Sequence, residues 1–443
     1  MSGAAHATAV VIVGAGFAGL SAALALKHAG VDFVVLEAQD HVGGRVESRL
    51  NGLGERVDTG GQFLCDDMPE FLALARAYGR QLVETRFDGA PVRQPPLSVA
   101  EIERSYAGAM AIRDRLNGFS PDDPSLAGLT VADWLARQPD DDDARDGFRS
   151  MIEGLWCLAL EDLPAWYLVS NDRRVTNEAP ELQYFIAGSA HALAQEMALD
   201  LGDRIRLRTE VTGIQSAPTG VRVTTGETDG KDAAPVFAAR AVLICLPPAT
   251  AAKLDYAPVL PTGLAGALGA WRSGAVIKLF LRYPHAFWRE RNLSGVVMWR
   301  DPAGLFAFDV SPDEAHPTLG FFIGGPLAQE TRALGEAGVK KKAIAWLVAA
   351  LGPEAGEPLD VMLRDWTNDR WSGGAYSDLV VDMGATDAED VLRAGAPPLF
   401  FASSELSPSF PGYIEGAIVA GREGAKKVIA TLQSAIATSA SGS

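Results

Sequence analysis

The sequence predicts an α/β protein of two domains, and three observations carry that expectation. The stretch AVVIVGAGFAGLSAALALKHAGVDFVVLEA near the N-terminus has the order strand, glycine-rich turn, helix, strand. Helical apolar spacing dominates from about Met68 to Leu201, as in MPEFLALARAYG and VADWLARQ, and strand-like runs return after it. The chain has 443 residues, more than one ordinary core organises, so two domains or a discontinuous pair are expected.

In the first stretch Ala9 to Val13 is a β-branched run, and Gly14, Gly16 and Gly19 spell G-x-G-x-x-G. Phe17 to Ala29 has helical spacing, and Asp32 to Leu36 is a second strand closed by Glu37. Each position has a task in gripping a dinucleotide. Gly14 permits the tight turn, Gly16 leaves room for a pyrophosphate, and Gly19 lets the helix pack closely on the strand. The helix N-terminus faces the phosphates. Glu37 stands where a carboxylate accepts ribose hydroxyls and disfavours a 2′-phosphate, which argues against NADP. This reads as a Rossmann-like domain; a glycine-rich turn in an unrelated α/β domain is the alternative.

Composition excludes several other classes. With 39 basic and 56 acidic residues the formal charge is -17, contrary to nucleic-acid binding. That charge favours cationic small molecules if it lies near a funnel, or serves solubility alone. The cysteines Cys65, Cys157 and Cys245 are scattered without metal spacing, which points to a reducing compartment and no disulfide framework. No metal site is expected, and Asp140 to Asp143 read as a solvated turn or helix start. The N-terminal apolar run has no basic leader and is broken by glycines, so neither a signal peptide nor a membrane span is expected. The expectation is a soluble, cytoplasmic protein.

Further glycine loops follow. AQDHVGGRVES places Gly43, Gly44 and Arg45 shortly after Glu37, and DTGGQFL adds Gly60 and Gly61. They suggest a long dinucleotide lying extended across the domain. Late in the chain come DWTNDRWSGGAYSD and PLFFASSELSPSFPGYIEGAIVAGREGAKKVIATL. In the second, an apolar strand from Leu399 to Ala402 ends in Ser403, Ser404 and Glu405, and a helix pattern runs from after Gly412 to about Leu432. In these residues the chain resembles the flavin-dependent amine oxidase family, which includes monoamine, polyamine and L-amino-acid oxidases. The resemblance covers nearly the whole chain in motif order. It is strongest over residues 9–63 and 366–430 and thin between 85 and 200.

The resemblance implies a two-domain flavoprotein. Residues 1–80, 205–255 and 370–435 would form a discontinuous FAD-binding domain, and 81–204 and 256–369 a substrate domain of mixed sheet and helices. Gly44 belongs to the cofactor site, Arg45 would lie along the pyrophosphate, and Gly60 and Gly61 by the flavin ring. Val211 would meet the adenine end through its main chain, Trp366 and Trp371 would line the cofactor, and Glu405 would lie by the ribityl or pyrophosphate hydroxyls. The helix starting near Tyr413 would aim its amides at the flavin. A surface salt bridge is the alternative for Arg45, and ordinary packing for the tryptophans.

In GAVIKLFLRYPHAFW, alternation puts Val276, Lys278 and Phe280 on one face of a strand and Ile277, Leu279 and Leu281 on the other. By resemblance Lys278 holds a water at flavin N5 and assists the reaction with dioxygen; the alternative is an outward lysine beside Arg282. Tyr376 and Tyr413 match two parallel rings that flank the amine in front of the flavin, with buried core aromatics as the alternative. Gln62 and Phe63 fall on the substrate side. Ala375 stands where mammalian-type monoamine oxidases carry the cysteine bonded to flavin, so the FAD should be noncovalent. Ser403 replaces the family's usual glycine. The implied activity is oxidation of an amine to an imine, hydrolysed to an aldehyde or ketone, with hydrogen peroxide formed from dioxygen. The rivals are an L-amino-acid oxidase, an amine dehydrogenase with a protein acceptor, and a non-catalytic flavin-fold binding protein. The partners expected are a small amine and dioxygen, with no nucleic acid or membrane; a homodimer is left open.

Overall fold

Short runs of β-branched residues, buried on both faces, build the central sheet. Val10–Val13 and Ala241–Ile244 are wholly buried, and Phe33–Leu36 nearly so. Such continuous apolar strands suit a parallel sheet covered on both sides. The computed structural model describes residues 6–176, 178–217, 220–226 and 235–441. In it five parallel strands lie in the order Ile205–Arg206, Phe33–Leu36, Val10–Val13, Ala241–Ile244, Leu399–Phe401. Three distant parts of the chain therefore meet in one sheet.

Two helices cover one face of it. Phe17–His28 follows the first strand, and Ile414–Ser441 runs beside it. They touch at glycines: a Cβ on Gly421 would fall 2.1 Å from the Ala18 carbonyl oxygen. The second helix continues past the expected end at Leu432, because no proline or glycine stops it before residue 441.

A second five-stranded sheet has the order His6–Ala7, Val236–Ala239, Gly220–Thr225, Val211–Ala217, Asp255–Ala257. A six-stranded sheet runs Asp360–Asp365, Val276–Arg282, Thr318–Gly324, Leu305–Asp309, Leu293–Trp299, Ala90–Gln94. It is antiparallel except for its last pair. The predicted alternation holds: Ile277, Leu279 and Leu281 pack with Val339, Ala343 and Leu347 of the helix Gly335–Leu351. Val276 and Lys278 face the opposite way, into a cavity.

Helices Val99–Asn117 and Asp142–Trp156 close that cavity's outer side. A Ser98–Glu101 capping box starts the first, and Asp141 caps the second by accepting the Ala144 amide hydrogen. The acidic run is thus a helix start, as expected. The architecture is mixed α/β: a parallel sheet assembled from three separated segments, and a six-stranded, mostly antiparallel sheet on the other side of the cavity. Among the described residues no helix is long and apolar enough to cross a membrane.

Candidate active site

A cavity of about 1190 Å³ begins at the carboxyl ends of the parallel strands, with Val13, Leu36 and Cys245 in its wall. This is where open α/β sheets bind ligands. The glycines divide into two kinds. Gly14 has φ +97°, a conformation suited to glycine, and turns the chain out of the strand. A Cβ on Gly19 would fall 2.0 Å from the Gly14 carbonyl oxygen, so Gly19 is a packing glycine and does not line the cavity. Gly16 is different. A Cβ there would meet protein no nearer than 3.8 Å, and the space beyond is the cavity. Gly16 and Gly43 form a bridge between their loops, which brings Gly44 and Arg45 beside the first turn.

Glu37 ends its strand as predicted and lines the same space. Its two oxygens accept the Ala15 amide at 2.7 Å and the Gln39 amide at 2.9 Å. Burial pushes its carboxyl above the ordinary range, against those hydrogen bonds. Val211 and Thr212 continue the lining. Gly60 packs so closely on Arg45 that a Cβ would sit 2.2 Å from the Arg45 carbonyl oxygen, while Gly61 opens to the cavity.

The structure corrects the expectation for Glu405. The residue has no exposed surface and does not line the cavity. Its carboxylate pairs with Arg45 at 2.5 Å and accepts the Asp378 amide at 3.0 Å. The guanidinium of Arg45 also donates to the Tyr376 carbonyl at 2.8 Å and to Ser404 Oγ at 3.0 Å. Burial would raise the Glu405 carboxyl, but the Arg45 charge outweighs it and holds the carboxyl down. Arg45 and Glu405 therefore tie the loop carrying Tyr376 to the turn after the last strand. Ser403 and Ser404 face the cavity instead. Ser403 is extended, at φ −109° and ψ 162°, so replacing glycine costs nothing there.

The residues present fit an FAD. Gly16 and Gly44 leave a cradle that side chains would fill, and two helices, Phe17–His28 and Ile414–Ser441, begin at the cavity wall. Buried polar atoms in that wall, Gln62 Oε1, Thr250 Oγ1 and Ser403 Oγ, have no hydrogen-bond partner among the described residues.

Beyond the cradle, the cavity turns toward the six-stranded sheet. Lys278 is 3% exposed and donates to the Gly60 carbonyl at 2.6 Å. Its ammonium lies 5.0 Å from the Phe322 ring centre. Burial pulls its pKa down to about 7, against the opposing charge of Asp58. Trp366, Trp371, Tyr376 and Tyr413 join it in the lining, with Gln62 and Phe63. Trp366 donates its indole N–H to the Thr59 carbonyl at 2.9 Å. Ala375 is buried against Cys157, Val276 and Trp366. The two tyrosines share the cavity without ring contact between them, among the described residues. The Tyr413 hydroxyl donates to the Glu181 carboxylate, whereas that of Tyr376 has no protein partner there.

On the substrate side the sequence reading placed Gln62, Phe63, Tyr376 and Tyr413, but it singled out none of the phenylalanines or charged residues that complete the lining. Phe306, Phe308 and Phe322 form one wall, with Phe306 stacked on Phe322 at 4.7 Å. Met110, Met151 and Leu155 of the covering helices face them, and Glu181 and Arg113 add charge. Strand alternation in LFAFDV could have placed Phe306 and Phe308 opposite the core face. No pattern marks Glu181.

The family profile described as flavin containing amine oxidoreductase matches residues 17–429. The chain belongs to that family. It is therefore a flavin-dependent oxidoreductase acting on amines, with noncovalent FAD as its cofactor. Among its relatives is the flavin-containing amine oxidase A of Sus scrofa, 26% identical over 472 aligned positions covering 97% of this chain and 86% of that protein. An L-amino acid dehydrogenase of Synechocystis sp. is also 26% identical, over 95% of each chain. Two solved structures share the fold at 24% identity. Putrescine oxidase bound to putrescine has TM-score 0.87 over 96% of this chain and 100% of that one. Cyclohexylamine oxidase from Brevibacterium oxydans has TM-score 0.86 over 96% and 99%.

Proposed function

We propose that this amine oxidoreductase is an oxidase. An amine, dioxygen and water would give an aldehyde or ketone, ammonia or a smaller amine, and hydrogen peroxide. The observation that carries the reading is the continuity of one cavity from the dinucleotide cradle at Gly14, Gly16 and Glu37 to Lys278, Tyr376 and Tyr413. FAD held along Gly14, Gly16, Gly44 and Glu37 would supply a two-electron acceptor for the amine's C–H bond and a reductant for dioxygen.

The chain's own residues prepare that exchange. Tyr376 and Tyr413 flank the amine, and their ring faces favour a cation in transit. The aromatic wall of Phe306 and Phe322 excludes water and holds the apolar body of the substrate. Lys278, carrying a proton below about pH 7, supplies positive charge where oxygen is reduced. Ala375 offers no nucleophile to the cofactor. The oxidoreductases named above include an amino-acid dehydrogenase, a reading that needs a cation for the substrate carboxylate. Arg113 lies in the substrate wall but is engaged by Asp172 at 2.7 and 2.5 Å, which weighs for a plain amine.

The test is an anaerobic panel of aromatic, aliphatic, cyclic and diamine substrates alongside amino acids. Bleaching of the flavin by amines, followed on aeration by one peroxide per turnover, is the expected result. Bleaching by amino acids alone, or turnover without peroxide, would refute the reading.

A further inference from the structure

Two of the cofactor loops are held from outside the cavity, and one of the residues that hold them titrates. His191 is 4% exposed, lies in the first turn of the helix Ala190–Leu201, and does not line the cavity. Its ring packs on Gly43, where a Cβ would fall 2.9 Å from His191 Cδ2. Nδ1 accepts the Ser48 amide hydrogen at 3.2 Å. An amide can only donate, so the ring proton sits on Nε2, which donates to the Val42 carbonyl at 2.9 Å. One neutral imidazole thus joins both ends of the loop whose Gly43, Gly44, Arg45 and Val46 line the cavity. The same helix start grips the second loop. The Asp58 carboxylate, just ahead of Gly60 and Gly61, accepts the Ser189 hydroxyl at 2.7 Å and the Ala190 amide at 2.9 Å. Ser189 stands at φ +133°, a costly conformation outside glycine, so these contacts fix the turn that presents His191.

We propose that His191 is a positioning residue for FAD: its neutral ring latches the Val42–Ser48 loop in the shape that receives the cofactor, and a second proton on the ring releases it. Once protonated, Nδ1 points an N–H at the Ser48 amide instead of accepting from it. The surroundings set the balance. Arg56, which donates to Ser48 Oγ at 3.0 Å, and the His41 ring, 5.6 Å away, oppose a second positive charge. Glu47 favours it but is engaged by Arg49 and Arg364, and Asp58 is engaged at the helix start. Burial is the largest influence and lowers the His191 pKa. The latch is therefore whole above the ordinary histidine pKa and is lost as pH falls below it. This role concerns FAD retention and stands whether the electrons pass to dioxygen or to another acceptor.

The experiment dilutes the holoenzyme at pH values from about 8 to about 5 and follows free FAD by its fluorescence, with circular dichroism alongside. Wild type should release FAD about tenfold faster at the acid end, the scale of one lost hydrogen bond, with its secondary structure intact. His191→Gln keeps a donor for the Val42 carbonyl and cannot titrate, so its release should lack that acid step. His191→Leu should release FAD about tenfold faster than wild type at about pH 8, with no acid step. The Glu37, Asp58 and Asp378 carboxyls, all raised by burial, are common to the three proteins, so the difference between them reports the ring. An equal acid step in wild type and His191→Gln would overturn the proposal, as would a wild type that keeps its FAD throughout. Release that only accompanies unfolding would make His191 a residue of the fold alone and defeat the latch.

Discussion

In the cofactor half of the cavity the wall is built around close backbone: Gly14, Gly16, Gly43, Gly44 and Gly61, the starts of two helices, and Glu37, whose carboxylate is held by two amides. In the substrate half it is side chain: Phe306, Phe308, Phe322, Met151, Tyr413 and Glu181. A diphosphate is recognised by amides that must approach closely, and only glycine lets them. An amine can be held by ring faces and apolar surface, which ordinary residues supply on ordinary strands and helices. The two halves should therefore fail in different ways. Changes in the first should cost flavin, and changes in the second should cost turnover per bound flavin.

The sharpest separation is expected at Lys278. Lys278→Met should keep its flavin but slow reoxidation by dioxygen roughly 100-fold, the scale of removing one aligned charge from a buried site. In wild type that rate should fall as pH rises through about 7, because the ammonium is charged below its pKa and neutral above it. Stopped-flow reoxidation across pH checks both, and the methionine variant should show no such step. Equal pH profiles would remove Lys278 from the oxygen reaction.

Next in size is a contrast within the first motif. A Cβ at Gly16 would come no nearer than 3.8 Å to protein, so in Gly16→Ala the fold should persist while flavin content drops by at least about tenfold, a clash of roughly 1.4 kcal/mol or more. Gly19→Ala meets the Gly14 carbonyl and should destabilise the apoprotein by about 1–3 kcal/mol. Absorbance ratio and apoprotein Tm, read together, distinguish a cofactor glycine from a packing glycine. Acid precipitation of the wild type should release all the yellow colour, because Ala375 cannot bond to the flavin; colour retained in the pellet would contradict this.

The smallest effect concerns the tyrosines. Tyr413→Phe leaves the Glu181 carboxylate without its donor and should cost the apoprotein about 1 kcal/mol. Tyr376→Phe removes a hydroxyl with no hydrogen-bond partner among the described residues and should leave Tm unchanged. Denaturant midpoints of the two variants measure the difference directly, and equal shifts would deny it.

Much of the site could be read before the fold was seen, though unevenly. Gly14, Gly16, Gly19 and Glu37 were legible because backbone recognition constrains residue type at fixed spacing. The facing of Lys278 followed from strand alternation, since a period of two assigns every side chain to a face. Glu405 was misplaced because sequence order cannot tell a carboxylate that meets a ligand from one that meets Arg45, 360 positions away. Glu181 was invisible because its meaning comes from Tyr413, 232 positions later.

The sequence by itself determined the α/β class, the dinucleotide cradle and the absence of a nucleophile at Ala375. These depend on local properties: glycine's missing side chain, strand and helix periodicity, and the chemistry of one residue. Only the tertiary structure decided that Arg45 and Glu405 form a strut, that three phenylalanines make a wall, and that Glu181 accepts the Tyr413 hydroxyl. Charge pairing and packing join residues from distant segments, and which ones meet is fixed only when the sheets and helices close around the cavity.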